Sequence, residues 1–446
     1  MKLFAIQRGN CPLKIVIAFL AAAMLLFCGG CASKNGNTAG RGKVTVITVW
    51  HPWGGSQYER MVGTIDEFNR THPNIKVKPL FTPNDIASNQ KFFTSVAAHK
   101  APDAVFVDGT QTSAWAEQGA IQSLDNQIKQ DGIKPGDYYA PCWNQNYYKG
   151  HTWALTYCAD PNYVFAWNKK VFRDAGLDPN RPPKTIAELN KYNEAITKIE
   201  NGKIIRIGII PASFGANALF TWGWVFNGSF YDPKTQKITA NDPNVVKALE
   251  WMLSYYKKYD IKKLNTFMAG LGSREQDPFF TGQIAMGLFP LFEIEEIKKY
   301  APNLDYGLSY LPVPPGGEEH SSWVGGWCLA LPKGSKHPRE AWEFIRWCCH
   351  DPKGTSAVAK FQNILPGYKY APYLKEVEHK PGYGKLLQML RECKHQRPVM
   401  PAMGFYFGEL DRAISFAAYG EMTPKEALDL ATKQTQAELD LRLIGR

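Results

Sequence analysis

The sequence predicts an α/β protein built on a parallel sheet, and three observations predict it. Val44, Thr45, Val46, Ile47, Thr48 and Val49 form an unbroken β-branched run, which is a buried strand by propensity and length. Tyr58, Met61, Val62, Ile65 and Phe68 then trace one apolar helical stripe, and Ile75 to Val77 begins a second strand. The alternation resumes with a helix over 84–99 and a buried strand over 101–107 that ends in Asp108-Gly109. Strands separated by helices pair in parallel, because each crossover returns the chain to the same end of the sheet.

The loop after the first strand holds Trp50, His51, Pro52, Trp53, Gly54 and Gly55. It lies at the carboxyl end of its strand, where open α/β sheets bind ligands, and its glycines let backbone approach whatever sits above. Ser56 followed by Glu59 reads as a capping box for the helix, and Thr71-His72-Pro73 stops that helix. Segments 150–160 and 163–167 are extended, and 168–176 is a short helix ending in glycine. A helix over 186–199 and a strand over 204–210 come next, then the tryptophan-rich stretch 220–228. Asp242-Pro243 opens a long helix to Tyr259. Residues 279–292 lead from helix to strand to loop, 306–311 is a strand, and Pro312 to Gly317 forms a crossover. Trp323 to Leu331 is a strand entered through a Gly325-Gly326 kink, and Pro338 sits in the first turn of a helix to Cys349. The remainder is mainly helical, and no internal repeat is evident.

At 446 residues the chain has room for two or three domains, and 44% hydrophobic with 21% charged residues is ordinary for a globular protein. Thirteen Trp, 21 Tyr and 24 Phe are a rich aromatic set that suits recognition of flat apolar faces, though much of it must be core. Residues 1–30 read as a signal peptide: Lys2, Arg8 and Lys14 precede an apolar run from Ile15 to Phe27 that is short for a membrane span. Gly29-Gly30-Cys31 is similar to a bacterial lipobox, with Cys28 where that pattern prefers Leu, so Cys31 is the expected lipidated N-terminus. Residues 31–43 form a polar, glycine-rich tether. Loss of the leader lowers the formal charge from +11 by three, and what remains is dispersed, a solvated surface and not a nucleic-acid site. Six cysteines then remain beside Cys31, and Cys142 with Cys158 is the expected disulfide if one forms. No cysteine pair has zinc spacing.

The order of these signals resembles the extracellular solute-binding proteins of ABC importers, in the carbohydrate-type family that includes maltose-binding protein. Five stretches carry the likeness: 45–77; 101–125; 163–189, with Trp167-Asn168-Lys169; 280–286; and 323–344. Segment 151–157 departs from the pattern, having Leu155-Thr156 where many members have Leu-Pro. The resemblance implies a two-lobed periplasmic-binding-protein fold with the ligand held in the cleft and hinge closure around it. Lobe one would be 42–160 with 316–350, and lobe two 161–315 with 351–446. It implies a sugar ligand, no enzymatic activity, no cofactor and a monomer. The chain contains no nucleotide loop, so permease and ATPase partners would be separate subunits, with the protein held on the outer face of a membrane by its lipid.

A sugar offers apolar C–H faces to aromatic rings and a rim of hydroxyls to carboxylates and amides. Trp50, Trp53, Trp222, Trp224, Phe292, Trp323 and Trp327 are the stacking candidates, each also a plausible core residue. Asp108, Tyr157 and Asp160 are the polar candidates, and Gly325 and Gly326 offer backbone N–H groups. His51 and His151 read as structural, not metal-binding. The loops bearing these residues contain no Arg and no Lys, so the expected ligand is uncharged. The alternatives are a secreted carbohydrate-active hydrolase, a surface lipoprotein, or a binding protein for glycerol phosphate or a peptide. Neither HExxH nor a phosphate-binding GxxxxGK[ST] occurs, and Pro211 to Gly215 misses a GxSxG elbow at its first position.

Overall fold

The computed structural model describes residues 44–83 and 86–444, so the expected leader, the tether and Cys31 lie outside the described residues. β1 (Thr45–His51) turns Ile47 and Val49 into the core and pairs in parallel with β2 (Ile75–Phe81), Ile47 opposite Val77. On its other side it pairs in parallel with β3 (Ala104–Asp108), Trp50 opposite Val105. The sheet is completed by β4 (Ala154–Thr156) and a strand that returns from far along the chain, Trp327–Ala330. That strand lies antiparallel between β3 and β4, with Trp327 opposite Asp108 and Cys328 opposite Thr156, so the sheet is mixed where an all-parallel one was expected.

α1 (Gly55–Thr71) buries Met61, Thr64, Ile65 and Phe68 on this sheet, close to the expected stripe, while Tyr58 stays exposed. The expected capping box is absent: Gly54 is the N-cap, which places Ser56 inside the first turn where its hydroxyl has no capping role.

The second sheet is centred on β6 (Val164–Asn168), reached through β5 (Asp160–Asn162). β6 pairs antiparallel with β7 (Met286–Phe289) and with β8 (Tyr306–Ser309). Its core gathers α2 (Ala216–Val225) and α3 (Pro243–Tyr259), joined near the end of the chain by Met403–Ala418 and Pro424–Ile444. α2 is apolar on every side, and a helix of that kind is buried all round. The helix Pro352–Gln362 packs instead on α1 and on Pro338–Cys349, so the tail expected to belong wholly to the second lobe is shared between the two bodies.

Three chain passages run side by side between the sheets. β5 pairs antiparallel with β9 (Trp323–Gly325), and the Val324 N–H donates to the His395 carbonyl at 3.0 Å. The strand Trp327–Ala330, β10 from here on, follows β9 directly.

All six described cysteines are free, and the expected Cys142–Cys158 disulfide is not formed. The Cys158 sulfur instead accepts the Trp327 N–H at 3.2 Å, and burial pushes both thiols well above their ordinary pKa. No described helix is long and apolar enough to cross a membrane.

Candidate functional site

A cavity of about 610 Å³ lies at the carboxyl end of β1, lined from both sheets. From the first sheet come the Trp53–Gln57 loop, Arg60 of α1, the Tyr157–Asp160 exit of β4, and Trp327. From the second come Arg274 and the stretch Pro290–Phe292, with Glu295 and Glu296, at the start of α4 (Leu291–Tyr300). This volume is that of a small-molecule site, for which about 300–1,000 Å³ is typical.

The first-sheet wall is aromatic. Trp53 meets Phe106 edge-on at 4.5 Å, Trp327 at 5.6 Å and Tyr157 at 5.8 Å between ring centres. The His51 ring stacks with Trp53 at 6.2 Å and 11° and with Tyr58 at 5.4 Å and 16°. His51 is buried, and desolvation lowers its pKa to about 4, so it is neutral over the physiological range. Phe292 leaves 57% of its surface exposed and presents an open ring on the second-sheet side.

Polar groups sit beside this wall. Asp160 lines the cavity, and its pKa is raised to about 6 by burial and by the Asp108 charge, against the pull of Arg397. Asp108 accepts from the Thr110 N–H at 2.9 Å and pairs with Arg397 at 3.4 Å. Arg397 lies over the Trp323 ring at 5.0 Å and donates to Asn217 of α2 at 3.5 Å, so its guanidinium spans groups from both sheets. Among the described residues no group of three or more His, Cys, Asp and Glu is placed to hold a metal ion.

Of the expected contacts, Trp53, Tyr157, Asp160, Phe292 and Trp327 are brought to one cavity, and Asp108 stands beside it. Others go elsewhere. Trp50, one residue from His51, points to the opposite face of the strand and packs on Phe92 in a separate cluster with Trp115. Trp222 is fully buried and donates its indole N–H to the Pro211 carbonyl, and Trp224 is buried against the His395 ring. Trp323 is buried too, its indole N–H donating to Thr221 at 2.9 Å. These three are core, because α2 and β9, which carry them, are buried almost throughout. Gly325 pairs with Asp160 in the β5–β9 ladder. At Gly326 (φ +147°) a Cβ would meet the Cys158 carbonyl at 2.0 Å, so the glycine is required by a close backbone crossing.

The arginines were not foreseen. The loops that carry the expected contacts hold no Arg, as read from the sequence, yet Arg60 and Arg274 line the cavity from a helix and a short turn at 274–276, and Arg397 of the third connecting passage pairs with Asp108 beside it. No local pattern marks them, since each is ordinary in its own segment.

The sequence pattern of the family described as bacterial extracellular solute-binding protein matches residues 54–348. Among curated relatives, the sn-glycerol-3-phosphate-binding periplasmic protein UgpB of Pectobacterium atrosepticum is 22% identical over 90% of this chain and 93% of its own. The arabinooligosaccharide-binding protein of Bacillus subtilis is 24% identical over 94% of this chain and 98% of its own. Among solved structures, CpMnBP1 with mannobiose bound is 30% identical, with a TM-score of 0.77 over 88% of this chain and 100% of that one. The sugar-binding protein MalE of Xanthomonas citri, 19% identical, has a TM-score of 0.75 over 90% of this chain and 98% of its own and shares the fold.

Proposed function

The chain belongs to the bacterial extracellular solute-binding proteins, and on that premise we propose that it captures a short oligosaccharide in the cavity between its sheets for delivery to an ABC importer. The observation that carries this reading is the pairing of an aromatic wall, Trp53 with Trp327, and the open Phe292 ring in one cavity that also holds the Asp160 carboxylate. Rings take the apolar faces of a sugar, and an ionised carboxylate accepts from its hydroxyls. Mannobiose and mannotriose are the first ligands to try, because the structures solved with them are about 30% identical to this chain.

The finer parts of the reading are proposals as well. The lobes meet at the hinge ladder of β5, β9 and His395, and closure about it encloses the ligand. Among the described residues we place lobe one at 44–160 with 316–350, joined by the helix Pro352–Gln362 and by the passage after it, whose Leu365 and Gly367 carbonyls accept from Ala159 and Tyr139, and lobe two at 161–315 with Met403–Ala418 and Pro424–Ile444. Cys31 carries the lipid that holds the monomeric protein on the outer face of a membrane. Intact mass should then show a mature chain beginning at Cys31 with added acyl mass; a chain with another start and no added mass overturns the anchor. The ligand leaves unchanged, taken up by a separate permease with its own ATPase.

Calorimetry against mannobiose, mannotriose, an arabino-oligosaccharide and glycerol 3-phosphate tests the capture reading, with chromatography of the recovered ligand. Heat from an oligosaccharide recovered intact is expected. Heat from glycerol 3-phosphate alone, or a cleaved sugar, overturns it.

A further inference from the structure

We propose that the captured saccharide bears an anionic group, a carboxylate or a phosphate, held by Arg60 and Arg274 at the cavity. The inference rests on the capture reading and narrows its ligand.

Both arginines line the cavity, Arg60 from α1 on the first-sheet side and Arg274 from the turn at 274–276 on the second-sheet side. Among the described residues neither guanidinium has a carboxylate partner or a hydrogen-bond acceptor. That is unlike most of this protein's arginines. Arg70 pairs with Glu67 at 2.6 Å, Arg173 with Asp305 at 2.8 Å, Arg391 with Glu378 at 2.7 Å and Arg442 with Glu438 at 2.7 Å. Arg60 is moreover half-buried, and a guanidinium withdrawn from water without an acceptor is costly.

The carboxylates near the cavity do not supply the missing partners. Glu295 already accepts from Lys298 at 2.8 Å and from the Tyr383 hydroxyl at 2.9 Å. Asp160 lies in the field of Arg397, not of Arg60 or Arg274. Glu293 is raised to about 7 by burial and by the charges of Asp277 and Glu296, so it carries only part of a charge near neutrality. Glu296 lines the cavity without an ion pair to either arginine. A sugar hydroxyl offers a guanidinium one neutral acceptor, whereas a carboxylate or phosphate offers two charged oxygens in the fork geometry that arginine matches. Arg274 is exposed and solvated, so the half-buried Arg60 carries the need for an acceptor, with Arg274 a second guanidinium lining the same cavity; the pair fits an acidic sugar better than a neutral one. The aromatic wall and Asp160 still take its ring faces and hydroxyls.

The test is calorimetry of the full chain with three probes: mannobiose, a glucuronosyl-mannose disaccharide, and mannose 6-phosphate. An acidic probe should bind about tenfold or more tightly than mannobiose, with the advantage shrinking as salt is raised. The better of the two acidic probes identifies the group as carboxylate or phosphate. Arg60→Gln and Arg274→Gln should each bring the ratio of acidic to neutral affinity towards one, with thermal melts confirming that both variants fold. Mannobiose bound as tightly as either acidic probe, or a ratio unchanged in both variants, overturns the inference and leaves sugar capture standing. Heat from none of the three probes, with none from the wider panel of neutral oligosaccharides, overturns the capture reading itself.

Discussion

The Trp53 and Trp327 rings stand 5.6 Å apart at 62°, although one follows β1 and the other opens β10, with β3 between those strands in the sheet. They meet because β1 runs parallel to β3 and β10 antiparallel to it, so the end of β1 and the start of β10 lie at the same edge, and each ring remains only partly buried. Trp53→Ala or Trp327→Ala should weaken saccharide binding by about 1–3 kcal/mol, the scale of a lost aromatic contact, with little change in melting temperature. Trp222→Ala provides the contrast: its ring is fully buried, and truncation should cost about 3–5 kcal/mol in denaturant unfolding. Similar stability losses at all three positions would refute the division between wall and core.

Acid should expose the role of His51. Its folded pKa of about 4 lies below the ordinary 6.5, so the unfolded state binds the extra proton between those values. Stability from this group is complete above about 6.5 and is lost as pH falls towards 4, by at most roughly 3 kcal/mol. Thermal melts over that window should show the decline, and His51→Phe, which keeps a ring in contact with Trp53 and Tyr58, should flatten it. An unaltered slope in the variant would assign the decline to other groups.

Asp160 works in the opposite sense. A carboxyl raised to about 6 holds its proton longer in the folded state, so its contribution to stability falls as pH rises from about 4 to 6. Ligand affinity should move the other way, since only the ionised form accepts from hydroxyls with full strength. Affinity measured by calorimetry should drop as pH falls through 6, and Asp160→Asn should remove most of that dependence. A pH profile identical in the variant would exclude Asp160 from the contact.

The cysteines give a chemical test. Thiol titration in denaturant should find all six described cysteines reduced, and in native protein Cys142, Cys158, Cys328, Cys348 and Cys349 should react slowly because they are buried with raised pKa values. A peptide linking Cys142 to Cys158 in the mass map would contradict the free thiols.

At Gly326 the prediction is steric. A Cβ at φ +147° would press on the Cys158 carbonyl, so Gly326→Ala should destabilise by about 1–3 kcal/mol and disturb the Cys158–Trp327 contact behind the aromatic wall. Circular dichroism melts and sugar titration together would reveal both effects, and a variant normal in each would disprove the tight crossing.

Much of the fold was legible. The β-branched run at Val44–Val49, the stripe from Met61 to Phe68 and the helix entered by Pro338 all formed close to their expected bounds, since strand and helix periodicities are written in neighbouring residues. The site was legible only in part. Trp53 was marked by its glycines and Trp327 by the kink before it, but the same aromatic signal named Trp222, Trp224 and Trp323, which are core. The order of strands was not written locally either: nothing near Trp327 states that β10 inserts between β3 and β4.

By itself the sequence determined the α/β class, the strand–loop–helix unit at the head of the described chain, and the aromatic character of the loop that lines the cavity. These follow from propensity and spacing within a few residues. Only the tertiary structure decided which tryptophans face the cavity, that Cys142 and Cys158 stay free thiols, that Arg60 and Arg274 line the cavity, and that Arg397 pairs with Asp108 beside it. The physical reason is that exposure and charge pairing depend on which distant surface covers a side chain. Arg397 shows it plainly: its partners Asp108 and Asn217 lie far from it in sequence, and the fold brings them within reach where His395 is seated against Val324 of β9.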